Sequence, residues 1–196
     1  RAMSLAYVDN PTCRSRADWG ADESIRKWTS GDPETYYPAQ VLTVHHTAGS
    51  NDPSQDFAAT VRAIYQYHVL TNGWSDIGYQ YLIDANGIVY EGRTSGPASQ
   101  SCFYGGDGSD FGHQSGTDYV VTGAHVGGYN SGNLGISLMG CFEPGQCTGN
   151  TTPTAAAIDA LATQVSKLAQ RHGLNPTGTT TYVNPVGGAS LKVPVL

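Results

Sequence analysis

A chain of 196 residues is long enough for one domain with a full hydrophobic core and too short for two ordinary ones. A hydrophobic content of 39% against 13% charged residues excludes a disordered polymer, which needs charge to stay solvated. The net charge of -6 excludes the basic surface that nucleic acid requires, and no apolar run approaches the ~20 residues of a membrane helix.

Residues 1–20 read as irregular, with Asn10-Pro11 as a turn. A short helix is predicted from Asp22 to Trp28, capped by Asp22 and broken at Gly31-Asp32-Pro33. Gln40 to His46 is a β-branched run and reads as a buried strand. From Phe57 to Leu70 the residues Phe57, Val61, Ile64, Tyr65 and His68 recur at helical spacing, and Asn72-Gly73 closes the helix. Tyr79–Ile83 and Ile88–Tyr90 flank Asp84-Ala85-Asn86-Gly87, a hairpin signal. Residues 94–118 read as one long loop rich in Gly, Ser and Asp. Val120–His125 and Leu134–Met139 are predicted as two further strands. Thr154–Gly173 is an amphipathic helix with Ile158, Leu161, Val165 and Leu168 as its apolar stripe. The tail from Asn175 is rich in Pro, Gly and Thr and ends on an apolar run, Val193-Pro-Val-Leu196, which reads as a docked segment. The order β-α-β-β-β-β-α implies an α/β domain: a central mixed sheet flanked by helices.

Cys141 and Cys147 bracket a turn-like stretch and are expected to form a short disulfide loop. Cys13 and Cys102, both in polar loop-like segments, would pair by default. An even cysteine count with few lysines points to a secreted protein in an oxidising compartment.

Three stretches could carry chemistry. His45-His46-Thr47-Ala48 ends a predicted strand, where neighbouring side chains face opposite ways, so one histidine is expected to face the core or a helix packed on it and the other a cleft. A neutral imidazole at a strand end is a good zinc ligand, although a strand end with two partly buried histidines is the ordinary reading. In Trp74-Ser-Asp-Ile-Gly-Tyr79, a phenol near a metal could donate to a carbonyl oxygen as it becomes negative; a core tyrosine is the ordinary reading. Gly123-Ala-His125, followed by Gly-Gly-Tyr-Asn130, puts a third histidine before an open, glycine-rich loop suited to sugar or peptide.

Ser15-Arg-Ala-Asp-Trp-Gly20, Val44-His-His-Thr-Ala48, Trp74-Ser-Asp-Ile-Gly-Tyr79, Tyr81-Leu-Ile-Asp84, Gly87-Ile-Val-Tyr-Glu-Gly-Arg93, Gly123-Ala-His125, Tyr129-Asn130 and Gly135-Ile-Ser-Leu-Met-Gly140 occur in that order. Together they resemble the peptidoglycan recognition proteins, whose fold is shared with zinc N-acetylmuramoyl-L-alanine amidases of the phage lysozyme type, and the loops look most like secreted actinobacterial members. The resemblance runs from Ser15 to about Gly173. It implies the peptidoglycan recognition (amidase type 2) fold, a groove for bacterial peptidoglycan, and one zinc ion held by two histidines and a cysteine. His45 matches the first metal ligand, so His45 is expected to face the groove and His46 away from it, and Tyr79 matches the catalytic tyrosine. His46, Thr47, Trp74, His125 and Asn130 are the candidate substrate-binding residues. The other two ligands come, in the family, from a His-Arg-Asp…Cys-Pro-Gly stretch after the last strand. That stretch is not among residues 1–196, read as a single amidase domain, and the natural protein is expected to continue past Leu196 and supply it. The implied activity is zinc-dependent hydrolysis of the amide between N-acetylmuramic acid and L-alanine. The alternative is a non-catalytic peptidoglycan-binding module of the same fold.

Overall fold

The computed structural model describes residues 12–27, 34–93 and 119–196. In chain order the elements are β1 (Cys13–Arg14), α1 (Arg16–Trp19), β2 (Tyr36–Pro38), β3 (Val41–His46), α2 (Phe57–Gln66), β4 (Tyr81–Ile83), β5 (Val89–Glu91), β6 (Tyr119–Val121), β7 (Asn133–Leu138), α3 (Ala155–His172), β8 (Thr179–Tyr182) and β9 (Leu191–Pro194). Five strands form the central sheet in the order β1-β5-β4-β7-β3. The β4–β5 hairpin is antiparallel, while β1 on β5, β4 on β7 and β3 on β7 are parallel. The sheet is therefore mixed, as the element order implied.

Strand alternation divides the interior into two layers. On one face Leu42, Ile83, Val89, Leu134, Ile136 and Leu138 pack against Ala157, Ala160, Val165 and Leu168 of α3. On the other, Leu82 and Tyr90 pack with Trp19, Phe57, Val61 and Tyr65 of the α1 and α2 layer. Thr154 caps α3 through the Ala157 amide, and Gly173 closes it in the left-handed conformation. Ile158, placed in the apolar stripe by its spacing, is 45% exposed. The small side chains of Ala157 and Ala160 carry that contact instead.

Several sequence expectations change. The first twenty residues are not all irregular: α1 follows a capping box between Ser15 and Asp18. The helix expected from Asp22 is a single 3-10 turn, Glu23–Ile25, with Asp22 as its cap; Trp28 lies outside the described residues. The strand expected over Val120–His125 ends at Val121, and β6 pairs antiparallel with β2 in a separate ribbon. The chain then leaves strand geometry to cross over Gly78, whose carbonyl accepts the Ala124 amide at 2.8 Å. The tail forms a second antiparallel ribbon, β8–β9, and Val195 docks: its carbonyl accepts the Leu42 amide at 2.7 Å and its side chain is buried. The long loop expected over 94–118 lies outside the described residues. Cys141 and Cys147 form the expected disulfide. Cys13 is also disulfide-bonded, and its expected partner Cys102 lies outside the described residues.

Candidate functional site

β3 is the last strand in the order of the central sheet, and the α2-side face at its end is half-buried. Thr43 and His45 project there, level with Gly135 and Ser137 of β7. His45 thus reaches a cluster assembled from three distant segments. Its ring centroid lies 5.5 Å from that of Tyr79 and 5.1 Å from that of His125. Its Nε2 is 3.0 Å from His125 Nδ1. Behind Tyr79 stands His68, with ring centroids 5.8 Å apart, and Trp74 stacks on His68 at 4.5 Å.

Each member is held by a local device. α2 passes at Tyr67 into a single π-helical turn, Tyr67–Thr71, which carries His68, and His68 Nδ1 accepts the Gly78 amide at 3.1 Å. The Trp74–Tyr79 segment is gripped by two buried arginines. Arg93 donates from Nε to the Ile77 carbonyl at 2.9 Å and from Nη1 to Glu34 at 2.7 Å. Arg16 donates from Nη1 to Asp76 Oδ1 at 3.1 Å and to the Gly92 carbonyl at 2.6 Å. Asn130 Oδ1 accepts the amides of both His125 and Val126 at 2.8 Å, which pins the backbone beneath the His125 ring. Gly135 makes room for that ring: a Cβ there would fall 2.6–2.7 Å from three of its atoms. Gly78 has the same role one layer out, where a Cβ would fall 2.5 Å from the Ala124 carbonyl oxygen.

The predicted site residues therefore separate. His45, Tyr79, His125 and, through His68, Trp74 come together. Asn130 stands beside them with its oxygen committed to backbone amides. His46 turns to the opposite face, where its Nδ1 accepts the Phe142 amide at 2.9 Å, and Thr47 Oγ1 accepts the Gly140 amide at 3.0 Å. These two residues anchor the loop after β7 and are not brought to the His45 cluster. Sequence reading missed His68, whose helical spacing marks it as an ordinary core position, and Gly135. It also missed Ser137, whose buried Oγ lies near the Tyr79 hydroxyl without closing a hydrogen bond.

Burial governs the electrostatics. It pushes the Tyr79 phenol up, so the hydroxyl keeps its proton, and it lowers His45, assisted by the neighbouring His46. His68 and His125 are pushed down to about 4, again first by burial. All three cluster imidazoles are thus neutral near pH 7. Among the described residues the one group of three potential metal ligands is His46, Cys141 and Cys147, within 4.8 Å of one another. Its two sulfurs are joined in a disulfide and offer no thiolate.

These shifts set a pH dependence. Between about 4 and 6.5 the unfolded chain takes up protons on His68 and His125 that the folded chain refuses. Their contribution is present above the unfolded value and lost as pH falls toward 4. Glu91 opposes it: burial raises this carboxyl from 4.5 to about 7, so its contribution is present at low pH and lost as pH rises through 7. Glu91→Gln removes the opposing group. Urea unfolding of this variant is expected to show a steeper gain of stability from pH 4.5 to 7 than the parent; an unchanged or flatter profile contradicts the assignment.

Residues 35–189 match the Amidase_2 family, described as N-acetylmuramoyl-L-alanine amidase. The N-acetylmuramoyl-L-alanine amidase of Homo sapiens is 31% identical over 178 residues, covering 89% of this chain and 25% of that protein. Peptidoglycan-recognition protein SC2 of Drosophila simulans is 29% identical over 157 residues, covering 80% of this chain and 68% of the relative. The chain spans about a quarter of the length of the mammalian amidases it matches. The crystal structure of human PGRP-IBETAC in complex with glycosamyl muramyl pentapeptide aligns with a TM-score of 0.58 at 26% identity, covering 85% of this chain and 80% of that one.

Proposed function

The chain belongs to the N-acetylmuramoyl-L-alanine amidase family, and from that premise we propose that it is the substrate-binding and catalytic domain of a zinc-dependent peptidoglycan amidase. The reaction is hydrolysis of the amide between the lactyl group of muramic acid and the first L-alanine of the stem peptide. The water oxygen bonds to the lactyl carbonyl carbon, the carbon–nitrogen bond breaks, and the alanine nitrogen leaves as an amine after gaining a proton. The observation that carries this reading is the convergence of a neutral His45 imidazole and a protonated Tyr79 phenol, with ring centroids 5.5 Å apart, at the end of β3.

Zinc fits this donor set in part. His45 supplies one neutral imidazole, and a catalytic site needs about three protein ligands, so a histidine and a cysteine are to come from outside the described residues. A zinc ion, when bound, supplies Lewis-acid polarisation of the carbonyl and a water of lowered pKa. Tyr79 donates its hydroxyl hydrogen bond to the carbonyl oxygen as negative charge develops there. Trp74 and His68 form an aromatic wall that excludes water behind Tyr79. The ligand is peptidoglycan, bound as a muropeptide at this site. Secretion accords with the Cys141–Cys147 disulfide, and no helix among the described residues is long and apolar enough to cross a membrane.

The same cluster without a complete ligand set would serve as a peptidoglycan-binding module. Metal analysis of the natural full-length protein separates the two. The amidase reading expects about one zinc per chain, lost on His45→Ala. Muropeptide binding with no zinc would leave the binding module.

A further inference from the structure

We propose that His125 is a positioning residue that fixes the tautomer of His45, so that His45 presents the lone pair of Nδ1, and not of Nε2, to the ligand side of the site. The proposal deepens the amidase reading, on which it rests only for the identity of the metal that Nδ1 would meet.

A backbone carbonyl can accept a hydrogen bond and never donate one. The Asn133 carbonyl oxygen lies 3.2 Å from His125 Nε2. It also receives Gln80 Nε2 at 3.4 Å, so both of its lone pairs face donors. The Gln80 amide cannot be reversed. Its Oε1 accepts the Gly135 amide at 2.7 Å and its Nε2 donates to the Val121 carbonyl at 2.7 Å. The proton of His125 therefore sits on Nε2. A neutral imidazole carries one N–H, so His125 Nδ1 is left as a bare acceptor. That acceptor lies 3.0 Å from His45 Nε2. Only a proton on His45 Nε2 makes this contact a hydrogen bond. His45 then has its lone pair on Nδ1, and that is the atom able to ligate.

The reverse order fails at both ends. A proton on His125 Nδ1 would set a bare Nε2 against the Asn133 carbonyl oxygen at 3.2 Å. It would also place the remaining proton of His45 on Nδ1, closing that atom to a metal. The ring has little freedom to swing out of this arrangement. It lies against Gly135, where a Cβ would fall 2.6–2.7 Å from three ring atoms, and Asn130 clamps the backbone on which it stands. The Thr43 hydroxyl donates to Asn133 Oδ1 at 2.9 Å, and Asn133 Nδ2 donates to the Tyr129 carbonyl at 3.1 Å. The carbonyl that begins the chain is thereby fixed as well. Partners of this kind set ring orientation and basicity, and their loss lowers metal affinity by roughly 10–100-fold.

Long-range ¹H–¹⁵N correlation spectra of the ¹⁵N-histidine-labelled full-length protein test this with the metal removed. At neutral pH both His45 and His125 are expected to show a protonated Nε2 and a bare Nδ1. Adding Zn²⁺ should move the His45 Nδ1 resonance and leave His125 Nδ1 bare. His125→Ala should give His45 a mixture of tautomers and weaken zinc binding by roughly 10–100-fold. His125→Asn, whose amide oxygen can take the place of Nδ1 as acceptor, should restore the His45 tautomer. A protonated Nδ1 on His45, a doubly protonated His125, or an unchanged His45 tautomer in His125→Ala would overturn the proposal. Absence of zinc binding in a protein that shows the stated tautomers counts against the amidase reading and leaves the role of His125 intact.

Discussion

Tyr79→Phe is expected to slow hydrolysis by on the order of 10²–10³ while leaving muropeptide affinity nearly unchanged, the usual consequence of removing one oxyanion donor. The substitution deletes a single oxygen and preserves the ring that packs between His45 and His68, with centroids at 5.5 and 5.8 Å. The hydroxyl's polar neighbour within the fold is the buried Ser137, a small contact beside the loss of an oxyanion donor, so the loss should fall mainly on turnover. Burial keeps the phenol protonated, which makes it a donor across the working pH range. Turnover and muropeptide affinity measured on the same preparation decide the matter. An equal fall in both would make Tyr79 a packing residue.

Arg16→Ala is expected to destabilise the fold by about 3–5 kcal/mol, because it leaves a buried carboxylate without its cation. Arg16 and Asp76 are 5% and 0% exposed, and their contact is 3.1 Å. The same guanidinium also binds Glu23 and the Gly92 carbonyl, so three segments lose a common tie. Asp76 lies three residues before Tyr79 and accepts the Ile77 amide at 2.7 Å. Loosening it should disturb the segment that aims the phenol. Denaturant unfolding reads the stability change. A loss under about 1 kcal/mol, the range of an exposed pair, would show that the bridge is solvated.

The long, strongly patterned elements were legible from residue order alone. The β-branched run before His45 became β3, the Asn-Gly hairpin became β4 and β5, and the Thr154-to-Gly173 helix kept both caps. What stayed hidden depends on partners far away in sequence. β2 is three residues long and ends in a proline, and it exists because β6 pairs with it across more than eighty positions. α1 is one turn long, too short for a periodicity signal, and is held by its capping box and by Trp19 Nε1 donating to the Glu91 carbonyl at 2.7 Å.

The candidate site divides in the same way. His45 and Tyr79 stood out through their motifs, and alternation along β3 placed His45 and His46 on opposite faces. That alternation also sets His46 against the Phe142 amide and away from the cluster. His68 was invisible because a buried helical histidine has no local signature; its role comes from Trp74 and the Gly78 amide. The contact of His45 with His125 joins residues eighty positions apart, and the glycine that admits the His125 ring sits on a third segment. Such convergence follows from sheet order and has no trace in spacing.

The most direct test is digestion of intact peptidoglycan by the natural full-length protein, with the products identified by mass spectrometry. The expected products are stem peptides with a free N-terminal alanine and glycan strands bearing free lactyl carboxylates, both abolished by His45→Ala. Cleavage within the glycan or within the peptide, or muropeptide binding with no released alanine terminus, would contradict it.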